Sequence, residues 1–293
     1  MINMISVVIP VMNESENIAQ LVPRIYLLPY DVEVLLVDVK DGSSDGTGEV
    51  VAELKNNYKN LNLIRQSGKG FANALIEGLK AANCEFIVTM DAENHIPEEI
   101  PVLLQKLQDE NADVVIGSRF LKDSDVDLDR KRFLPSQIGN MIASASLKLK
   151  IKDCSSGFRA YKASTVQNAI ENMKTQYFSV QVEILDRVKE AGGKLLEIPC
   201  TYLARESGES KYKIEPAFMD GMHILKIATD HRVEDMKSTI EDMKEKAGSM
   251  GEETTGNMKE KFRDMKIGAD QVKAKGKEMF RGTFKNKFKN KFN

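Results

Sequence analysis

The sequence from Ile5 to about Lys213 alternates short runs of aliphatic and β-branched residues with longer amphipathic segments. This alternation is typical of strands that alternate with helices, and it predicts an α/β sheet. The short runs are almost continuously apolar, as expected of parallel strands that are buried on both faces. The predicted strands are Ser6–Pro10, Glu33–Asp38, Leu61–Arg65, Glu85–Met90 and Asp113–Gly117, and the predicted helices are Ser15–Leu28, Asp45–Asn57, Gly70–Ala82 and Pro97–Gln108. Ligands of such sheets bind beyond the carboxyl ends of the strands, so the chemistry is expected there.

Length, composition and cysteine content exclude several classes of protein. Of the 293 residues, 42% are hydrophobic and 29% are charged, so collagen-like and wholly disordered proteins are excluded. The cysteines Cys84, Cys154 and Cys200 lie far apart in no CxxC pattern, which argues against a disulfide framework or a structural zinc site. No apolar run reaches about 18 residues, and no basic segment precedes the first apolar run. We therefore expect a cytoplasmic protein with neither a transmembrane helix nor a signal peptide.

The net charge of −2 hides an asymmetry between two parts of the chain. Residues 232–293 hold 16 Lys and Arg against 11 Asp and Glu, a balance of +5, which leaves −7 for residues 1–231. From Lys273 onward there are eight cations and a single anion, Glu278. Such a basic end on an acidic body is expected to meet an anionic partner, such as membrane lipid or nucleic acid.

Residues 232–293 also differ in composition, since they contain no Pro, Tyr or Leu, and we place a domain boundary before them. Apolar residues at alternating spacings of four and three predict two amphipathic helices, which could pack on the body, on each other, on another subunit or on lipid. From Phe280 to Phe292 a Phe recurs every four residues with lysines between. On a helix these side chains would form an apolar face edged by cations, which is typical of membrane-interface helices. A solvated, disordered basic tail is the alternative.

Carboxylates gather after the first two predicted strands. Asn13 and Glu14 follow the first strand, and Asp38 and Asp41 follow the second. Carboxylates at this edge can accept hydrogen bonds from a nucleobase and from ribose hydroxyls. The neighbouring Asp45 and Thr47 could instead serve only as helix caps.

After the fourth strand, Asp91 and Glu93 stand two residues apart on an extended segment, so their side chains point the same way. Converging carboxylates suit Mg²⁺ or Mn²⁺ bound to a diphosphate, which the ion would neutralise as a leaving group. Surface carboxylates are common, and the position at a strand end is what favours a metal site.

Arginines in later loops form a second group of candidates. Guanidinium groups bind phosphate oxygens bidentately, so several arginines in an acidic domain indicate a second anionic ligand. Any single arginine is more often part of a surface salt bridge. The candidates are Arg119, Arg130 and Arg132 (ahead of Ser136), Arg159 and Arg205.

The sequence contains seven motifs in the following order: VVIPVMNE, VD…DGSSDGT, GKGFANALIEGLKAA, TMDAENH, GSRF, CSSGFRAY and FSVQVEIL…GESK. Together they resemble family 2 glycosyltransferases of the GT-A fold, in particular the group of dolichyl-phosphate mannose synthase and other polyprenyl-phosphate glycosyltransferases. The resemblance covers about residues 4–213 and implies a GT-A sheet with helices on both faces. The amphipathic helical appendage at the C-terminus lies outside it.

The resemblance implies roles for individual residues. Asp91, Glu93 and Asn94 would hold the metal. The donor nucleotide sugar would contact Pro10, Asn13, Glu14, Asp38, Asp41 and Lys69, and the reacting groups would meet Asp91, Arg119, Arg132, Ser136, Arg205 and Glu183. Two departures from the family pattern are visible, because Val39 and Lys40 separate two aspartates that are usually adjacent, and the second metal ligand is Glu rather than Asp.

The predicted function is transfer of a sugar, with mannose as the first choice, from a nucleoside-diphosphate sugar to a polyprenyl phosphate of the dolichyl type. A lipid phosphate is already anionic near neutral pH, so it needs positioning by arginines more than a general base. We expect inversion at the anomeric carbon and assistance by Mg²⁺ or Mn²⁺. Two alternatives remain: transfer to a hydroxyl acceptor with Glu183 as base, and an inactive nucleotide-sugar-binding or membrane scaffold protein.

The expected organisation is a catalytic domain over 1–213, an amphipathic helix over 214–231 and a helical appendage with a basic end over 232–293. The helix over 214–231 either lies in the membrane interface or packs on the core. With a lipid acceptor, the expected partner of 214–231 and 273–293 is the membrane surface and not nucleic acid. We therefore expect peripheral association with the cytoplasmic face of the membrane, with oligomers possible.

Overall fold

The computed structural model describes residues 2–127, 130–173 and 179–203. It also describes residues 223–241, except for 225, 232, 236 and 240. For residues 130–132, 134 and 135 it describes the backbone but not the side chain. The strands are β1 (Met4–Val11), β2 (Asp31–Asp38), β3 (Leu61–Arg65), β4 (Phe86–Thr89), β5 (Val114–Ser118), β6 (Asp125–Val126), β7 (Arg159–Lys162), β8 (Leu195–Pro199) and β9 (Thr201–Tyr202). The helices are α1 (Ser15–Ile25), α2 (Thr47–Leu54), α3 (Phe71–Ala81), α4 (Ile100–Asp109), α5 (Arg130–Ser146), α6 (Ala163–Ile170) and α7 (Val180–Glu190), with a 3₁₀ turn at Pro97–Glu99 before α4.

Seven strands form one sheet in the order β3-β2-β1-β4-β7-β5-β8, and β6 pairs with β9 separately. All neighbours in the large sheet are parallel except β7, which runs antiparallel to both β4 and β5. The predicted α/β class and mostly parallel sheet are confirmed. The five predicted strands correspond to β1–β5, and the predicted helices correspond to α1–α4 with shorter bounds.

The core lies on both faces of the sheet, as the apolar runs predicted. Consecutive residues Val7, Val8 and Ile9 of β1 are fully buried, so both faces of this strand are covered. Helix α3 lies very close to the sheet at Gly78, where an added Cβ would meet Val8 Cγ1 at 2.4 Å. A glycine is therefore required at this helix–strand contact.

The chain divides into two compact units, Met1–Gly221 and Met222–Asn293. The division falls eight residues after the predicted end of the catalytic domain at 213. Described residues between 223 and 241 are helical, whereas 214–222 and 242–293, with the predicted Phe/Lys helix, lie outside the described residues. In the part of the chain that the structure describes, no helix combines the length and apolar character needed to cross a bilayer.

Candidate active site

Two loops at the carboxyl edge of the sheet are tied together around Asn13. This residue has a φ of 56°, in the left-handed region that Asn tolerates better than most residues. Its backbone N–H donates to Ser43 Oγ (2.8 Å), and its Oδ1 accepts from the Ser44 N–H (2.9 Å). The loop after β2 is thereby held against the loop after β1.

Asp45 adds a second tie between the same loops. Its carboxylate accepts from the Ser15 N–H (2.9 Å) and from the hydroxyl (2.6 Å) and N–H (3.1 Å) of Thr47. Burial alone would raise the pKa of Asp45, but these hydrogen bonds outweigh it and lower the pKa to about 2. Thr47 Oγ1 in turn accepts from the Glu14 N–H (3.0 Å). Asp45 and Thr47 therefore accept hydrogen bonds from N–H groups at the starts of α1 and α2, but neither is the N-cap residue of a helix, since these positions are Glu14 and Gly46.

Asp38 is fully buried at the end of β2, opposite Val11 of β1. Its carboxylate accepts from Ser43 Oγ (2.6 Å) and the Val39 N–H (2.7 Å), and it pairs with Arg65 at the end of β3. In this structure Asp38 organises the loop that carries Asp41. Its predicted contact with the donor stays a prediction.

The other donor-binding candidates differ in exposure. Asn13, Asp41 and Lys69 are exposed, and Pro10 is half-buried. Glu14 is buried and accepts a hydrogen bond from Asn17 Nδ2 (2.7 Å). The exposed side chains Asp41 and Lys69 lie in loops that follow adjacent parallel strands, β2 and β3. The structure therefore brings one carboxylate and one ammonium group to the same edge of the sheet.

Asp91 lies two residues after β4, at the centre of the sheet, and its side chain is 35% exposed. Antiparallel β7 brings Gly157 against it, so that a Cβ at Gly157 would meet Asp91 Oδ1 at 3.0 Å. The Thr89 hydroxyl donates to the Gly157 carbonyl (2.7 Å) and fixes this approach. The carboxylate of Asp91 is thus packed against Gly157 on one side and accessible to solvent on the other.

His95 supports the loop that carries Asp91 and Glu93. The buried His95 ring stacks on Phe158, with centroids 5.0 Å apart, and its Nδ1 accepts from the Asp91 N–H (3.0 Å). Burial lowers the pKa of His95, so the ring is neutral near pH 7 and carries its proton on Nε2. Within the same loop, Glu93 is half-buried.

Asn94 links two segments of the chain through hydrogen bonds. It is buried, its Nδ2 donates to the Leu203 carbonyl (2.9 Å), and its own carbonyl accepts from the Leu203 N–H (2.9 Å). The two bonds join the loop after β4 to the chain that leaves β9. A role of Asn94 as a metal ligand stays a prediction.

Arg119 follows β5 and forms a bidentate ion pair with Asp153. Its Nε and Nη2 donate to the two Asp153 oxygens at 2.7 Å each, and Nη2 also donates to Ser155 Oγ (2.9 Å). Burial disfavours the charged form of Arg119, but the attraction of Asp153 outweighs it and raises the pKa of Arg119. The guanidinium lies 5.3 Å from the Tyr202 ring and is close enough to Asp91 to feel its charge. Asp91 and Arg119, two predicted site residues, are therefore brought together.

Asp153 is a residue of this site that the motif search missed. It immediately precedes CSSGFRAY, is fully buried, and also accepts from the Arg119 N–H (3.0 Å). Burial raises the pKa of Asp153, but the charge and hydrogen bonds of Arg119 outweigh this and lower it. The sequence indicates the role of Asp153 only by a single carboxylate that stands next to a motif rich in small residues.

The cation Arg159, in contrast, does not face solvent. It is fully buried, and it donates to the carbonyls of Gln181 (2.7 Å) and Cys154 (2.8 Å). It therefore joins the loop before β7 to helix α7. The expectation that Arg159 belongs to a ligand-facing group of arginines is not supported by this position.

The remaining predicted residues lie on helices or outside the described part. Ser136 is half-buried on α5, where its carbonyl accepts from Asn140 Nδ2 (2.9 Å). Glu183 lies on α7 and pairs with Arg187 one turn further along (3.0 Å). Arg132 is described in its backbone alone, and Arg205 lies outside the described residues. The catalytic roles of these four residues stay predictions.

Comparison with known proteins identifies the family. The sequence profile of "Glycosyl transferase family 2" matches residues 6–169, from β1 into α6 and more than half of the chain. The chain belongs to glycosyl transferase family 2. Its Asp91 and Arg119 both lie inside the matched segment.

This family 2 chain is similar to several curated relatives. The dolichol-phosphate mannosyltransferase of Pyrococcus furiosus is 35% identical over 229 residues, which cover 76% of this chain and 63% of that protein. The undecaprenyl-phosphate mannosyltransferase of Micrococcus luteus is 30% identical over 211 residues, with coverage of 70% and 85%. The polyprenol monophosphomannose synthase of Mycolicibacterium smegmatis is 30% identical over 213 residues, with coverage of 70% and 79%. The chain thus spans less than two thirds of the Pyrococcus protein.

Solved structures confirm the GT-A fold expected of a family 2 chain. Glucosyl-3-phosphoglycerate synthase from Mycobacterium tuberculosis in complex with phosphoglyceric acid superposes with a TM-score of 0.59 at 18% identity, covering 76% of this chain and 79% of that one. A complex of the same enzyme with Mn²⁺, UDP-glucose and phosphoglyceric acid gives a TM-score of 0.57 at 17% identity, covering 77% and 80%. At these identities the likeness shows the fold alone.

Proposed function

We propose that this family 2 protein transfers a sugar from a nucleoside-diphosphate sugar to a polyprenyl phosphate. The proposal is supported by relatives named for mannosyl transfer to dolichol, undecaprenyl and polyprenol phosphates. Mannose is accordingly the first donor sugar to test. The observation that carries the proposal is that Asp91, after β4, and Arg119, after β5, lie at the same edge of the sheet, with the Tyr202 ring 5.3 Å from the Arg119 guanidinium and 5.5 Å from the ring of His95 in the Asp91 loop.

The loop after β4 fits a divalent ion. Asp91 offers a carboxylate that is open to solvent and held from behind by Gly157, and Glu93 offers a second oxygen donor two residues on. Oxygen ligands of this kind suit Mg²⁺ or Mn²⁺, and a relative in fold was crystallised with Mn²⁺. The ion, when bound at Asp91 and Glu93, supplies positive charge that stabilises a departing nucleoside diphosphate.

Arg119 fits the role of a phosphate-binding group. Its bonds to Asp153 and Ser155 use Nε and Nη2, so the Nη1 edge is the part of the guanidinium that these bonds do not occupy. A rigidly held guanidinium binds phosphate without losing side-chain entropy on binding. Asp153 therefore positions Arg119 and compensates its charge in the buried site.

The reaction we propose is a single displacement. A phosphate oxygen of the acceptor attacks the anomeric carbon and forms the new C–O bond, while the bond from that carbon to the diphosphate breaks and the nucleoside diphosphate leaves with the electron pair. The configuration at the anomeric carbon is thereby inverted. The acceptor oxygen is already anionic, so its attack requires no general base.

The test is a transfer assay with purified full-length protein, Mn²⁺ and a panel of tritiated guanosine and uridine diphosphate sugars. Undecaprenyl phosphate in detergent is one acceptor, and a mixture of soluble sugars is the other. We expect label in the organic phase, and we expect Asp91→Asn to abolish it while Asp109→Asn, at an exposed position of α4, does not. Label found only in soluble product would instead support a hydroxyl acceptor, and donor binding without any product would support an inactive binding protein.

A further inference from the structure

The loop from Gln66 to Gly70 joins β3 to α3 at the carboxyl edge of the sheet, beside the loop that carries Asp41. Gln66 is buried, and its N–H donates to the carbonyl of Asp38 at the end of β2 (3.0 Å). Gly70 has a φ of 87°, a backbone conformation that favours glycine, and it directly precedes α3. The loop therefore leaves the sheet and enters the helix at defined points.

The carboxylate of Glu77, in the second turn of α3, holds the middle of this loop. The Ser67 N–H donates to both carboxylate oxygens at 3.0 Å, and the Ser67 hydroxyl donates to Oε1 (2.5 Å). Asn73, one turn earlier on α3, donates from Nδ2 to the same oxygen (2.7 Å). Burial alone would raise the pKa of Glu77, but hydrogen bonds from Ser67, Asn73 and the Gly68 N–H outweigh it and lower the pKa. Glu77 is therefore ionised near pH 7.

Gly68 and Lys69 complete the loop. A Cβ at Gly68 would stand 2.6 Å from Asn73 Oδ1, so this part of the loop packs directly on α3. Lys69 is exposed between Gly68 and Gly70. Ser67 is exposed as well, but its hydroxyl is bonded to Glu77. The Lys69 ammonium is thus the cationic group that the loop presents to solvent at this edge of the sheet.

The contacts with Glu77 decide which groups of the loop are available to a ligand. Successive N–H groups in a glycine-rich loop form a concavity that binds anions. Here the N–H groups of Ser67 and Gly68 donate to Glu77, an anion that the chain itself supplies. They are therefore not available to hold a diphosphate, and Lys69 is left as the group of this loop that can meet an anionic ligand.

Glu77 also restricts the backbone on either side of Lys69. An unrestrained loop with two glycines would lose much conformational freedom when Lys69 binds a ligand. The hydrogen bonds to Glu77 remove part of that freedom before the ligand arrives. Such pre-ordering strengthens binding, because less conformational entropy is lost on association.

We propose that Glu77 is a positioning residue of the donor site, which holds the loop from Gln66 to Gly70 so that the Lys69 ammonium meets the nucleoside diphosphate of the donor. The proposal rests on the proposed function, which supplies this ligand. A carbonyl of the base and an oxygen of the diphosphate offer the same chemistry to an ammonium group, a hydrogen-bond acceptor that carries negative charge. Glu77 acts through the loop and makes no contact with the ligand itself.

Calorimetric titration of the full-length protein with GDP and with UDP, in the presence of Mn²⁺, tests this proposal. We expect Glu77→Ala to weaken binding of the preferred nucleotide about tenfold, and Lys69→Ala to weaken it by a similar factor. If Glu77 acts through Lys69, the double variant binds at most about twofold more weakly than the weaker single variant. Glu77→Gln keeps an acceptor oxygen for the Ser67 N–H and should stay within about threefold of the unmodified protein.

Glu53→Ala is the matched control, because Glu53 is an exposed glutamate on the neighbouring helix α2. It should leave nucleotide binding unchanged. A kinetic assay gives a second readout, since a lost contact that binds substrate and transition state equally raises KM alone. We expect Glu77→Ala to raise the KM for the donor about tenfold with kcat within about twofold, whereas a general loss of structure would lower kcat as well.

Titration with the free nucleosides guanosine and uridine separates the two sources of the acceptor atom. If Lys69→Ala still weakens binding of the nucleoside, Lys69 meets the base. If the effect disappears without the phosphates, Lys69 meets the diphosphate. Both results support the role of Glu77, provided that Glu77→Ala changes nucleoside binding in the same way as Lys69→Ala.

Three results would overturn the proposal: unchanged nucleotide binding in Glu77→Ala, losses that multiply in the double variant, or an equal loss in Glu53→Ala. Nucleotide binding that meets the expectations, without sugar transfer to any acceptor, would keep the role of Glu77 and reject the proposed function. Sugar transfer with unchanged donor affinity in Glu77→Ala would keep the function and reject the role of Glu77. If the unmodified protein binds neither nucleotide, both proposals are wrong.

Discussion

Asp153 holds Arg119 through two bonds of 2.7 Å, and both charges are almost fully removed from solvent. Breaking a buried pair by removing one charge costs more than the pair contributes, because the remaining charge stays buried without compensation. We therefore expect Asp153→Asn to lower the free energy of unfolding by about 3 kcal/mol. Urea denaturation measures this directly.

The control for Asp153→Asn is Asp109→Asn. Asp109 is an exposed carboxylate that accepts from Gln105 Nε2 (2.7 Å) within one turn of α4, so its replacement should change stability by no more than about 0.5 kcal/mol. Similar losses in the two variants would mean that the Arg119–Asp153 pair is an ordinary salt bridge with no special place in the fold.

The second prediction at the scale of single residues concerns Gly157. In Gly157→Ala the new methyl would stand 3.0 Å from Asp91 Oδ1 and displace the carboxylate by a few tenths of an ångström. Positions that support metal ligands typically cost tenfold or more in affinity when changed. We expect roughly tenfold weaker Mn²⁺ binding, measured by electron paramagnetic resonance without substrates, at nearly unchanged thermal stability.

Gly139→Ala is the control, since nothing lies within 4 Å of a Cβ at Gly139 and the substitution removes a glycine from a helix. It should leave Mn²⁺ binding unchanged and raise stability by up to about 1 kcal/mol. Equal Mn²⁺ affinity in Gly157→Ala and the unmodified protein would separate Asp91 from the metal and remove the main support for the ligand assignment.

At the scale of secondary-structure elements, Asp45 joins the starts of α1 and α2, and this contact depends on pH. Its pKa in the fold, about 2, lies below the value of 3.8 expected for an unperturbed Asp. The stabilisation from Asp45 is therefore complete above about pH 4 and is lost as the pH falls towards 2. Because the side chain is exposed, solvent screening limits the contribution to about 1 kcal/mol.

The measurement compares the unmodified protein with Asp45→Ala by urea denaturation across pH. The stability difference should be constant from about pH 7 to pH 5 and shrink between about pH 4 and pH 3. If the stability difference stays constant down to the lowest pH at which the protein is still folded, the negative charge of Asp45 is not the source of the stabilisation.

The strands and helices that follow the regular alternation of apolar runs and amphipathic segments could be predicted from the sequence. The elements that depart from this pattern could not. Strands β1–β5 are near-continuous apolar runs, and each of their ends was predicted to within two residues. Strand β7 is Arg-Ala-Tyr-Lys, in which a buried Arg159 and a terminal Lys162 hide the apolar signal. Its antiparallel direction follows from tertiary pairing with β4 and β5, which local sequence does not specify.

The same limit applies to the candidate site. Carboxylates at strand ends were predictable, because the sheet edge gathers whatever follows parallel strands. The burial of Asp38 was not, since it depends on Arg65 of β3 and Ser43 of the next loop. Helix α5 was missed as well, since its large apolar residues face outward and its inward face carries Asn140.

At the scale of the whole molecule, the two parts of the chain carry opposite charge, −7 for residues 1–231 and +5 for residues 232–293. Residues 130–152, with six positive charges and no negative ones, are the most cationic stretch of the first part. The C-terminal end is more cationic still, with eight cations and one anion from Lys273 onward.

This concentration of positive charge at the C-terminal end predicts that membrane binding depends on salt. Deleting residues 273–293 removes eight cations and one anion and should weaken sedimentation with anionic vesicles at about 0.1 M NaCl, without changing nucleotide binding. Near 0.5 M NaCl, where charges beyond about 4–5 Å are screened, the deletion should matter much less. If the deletion leaves sedimentation unchanged at low salt, the basic end plays no part in membrane binding.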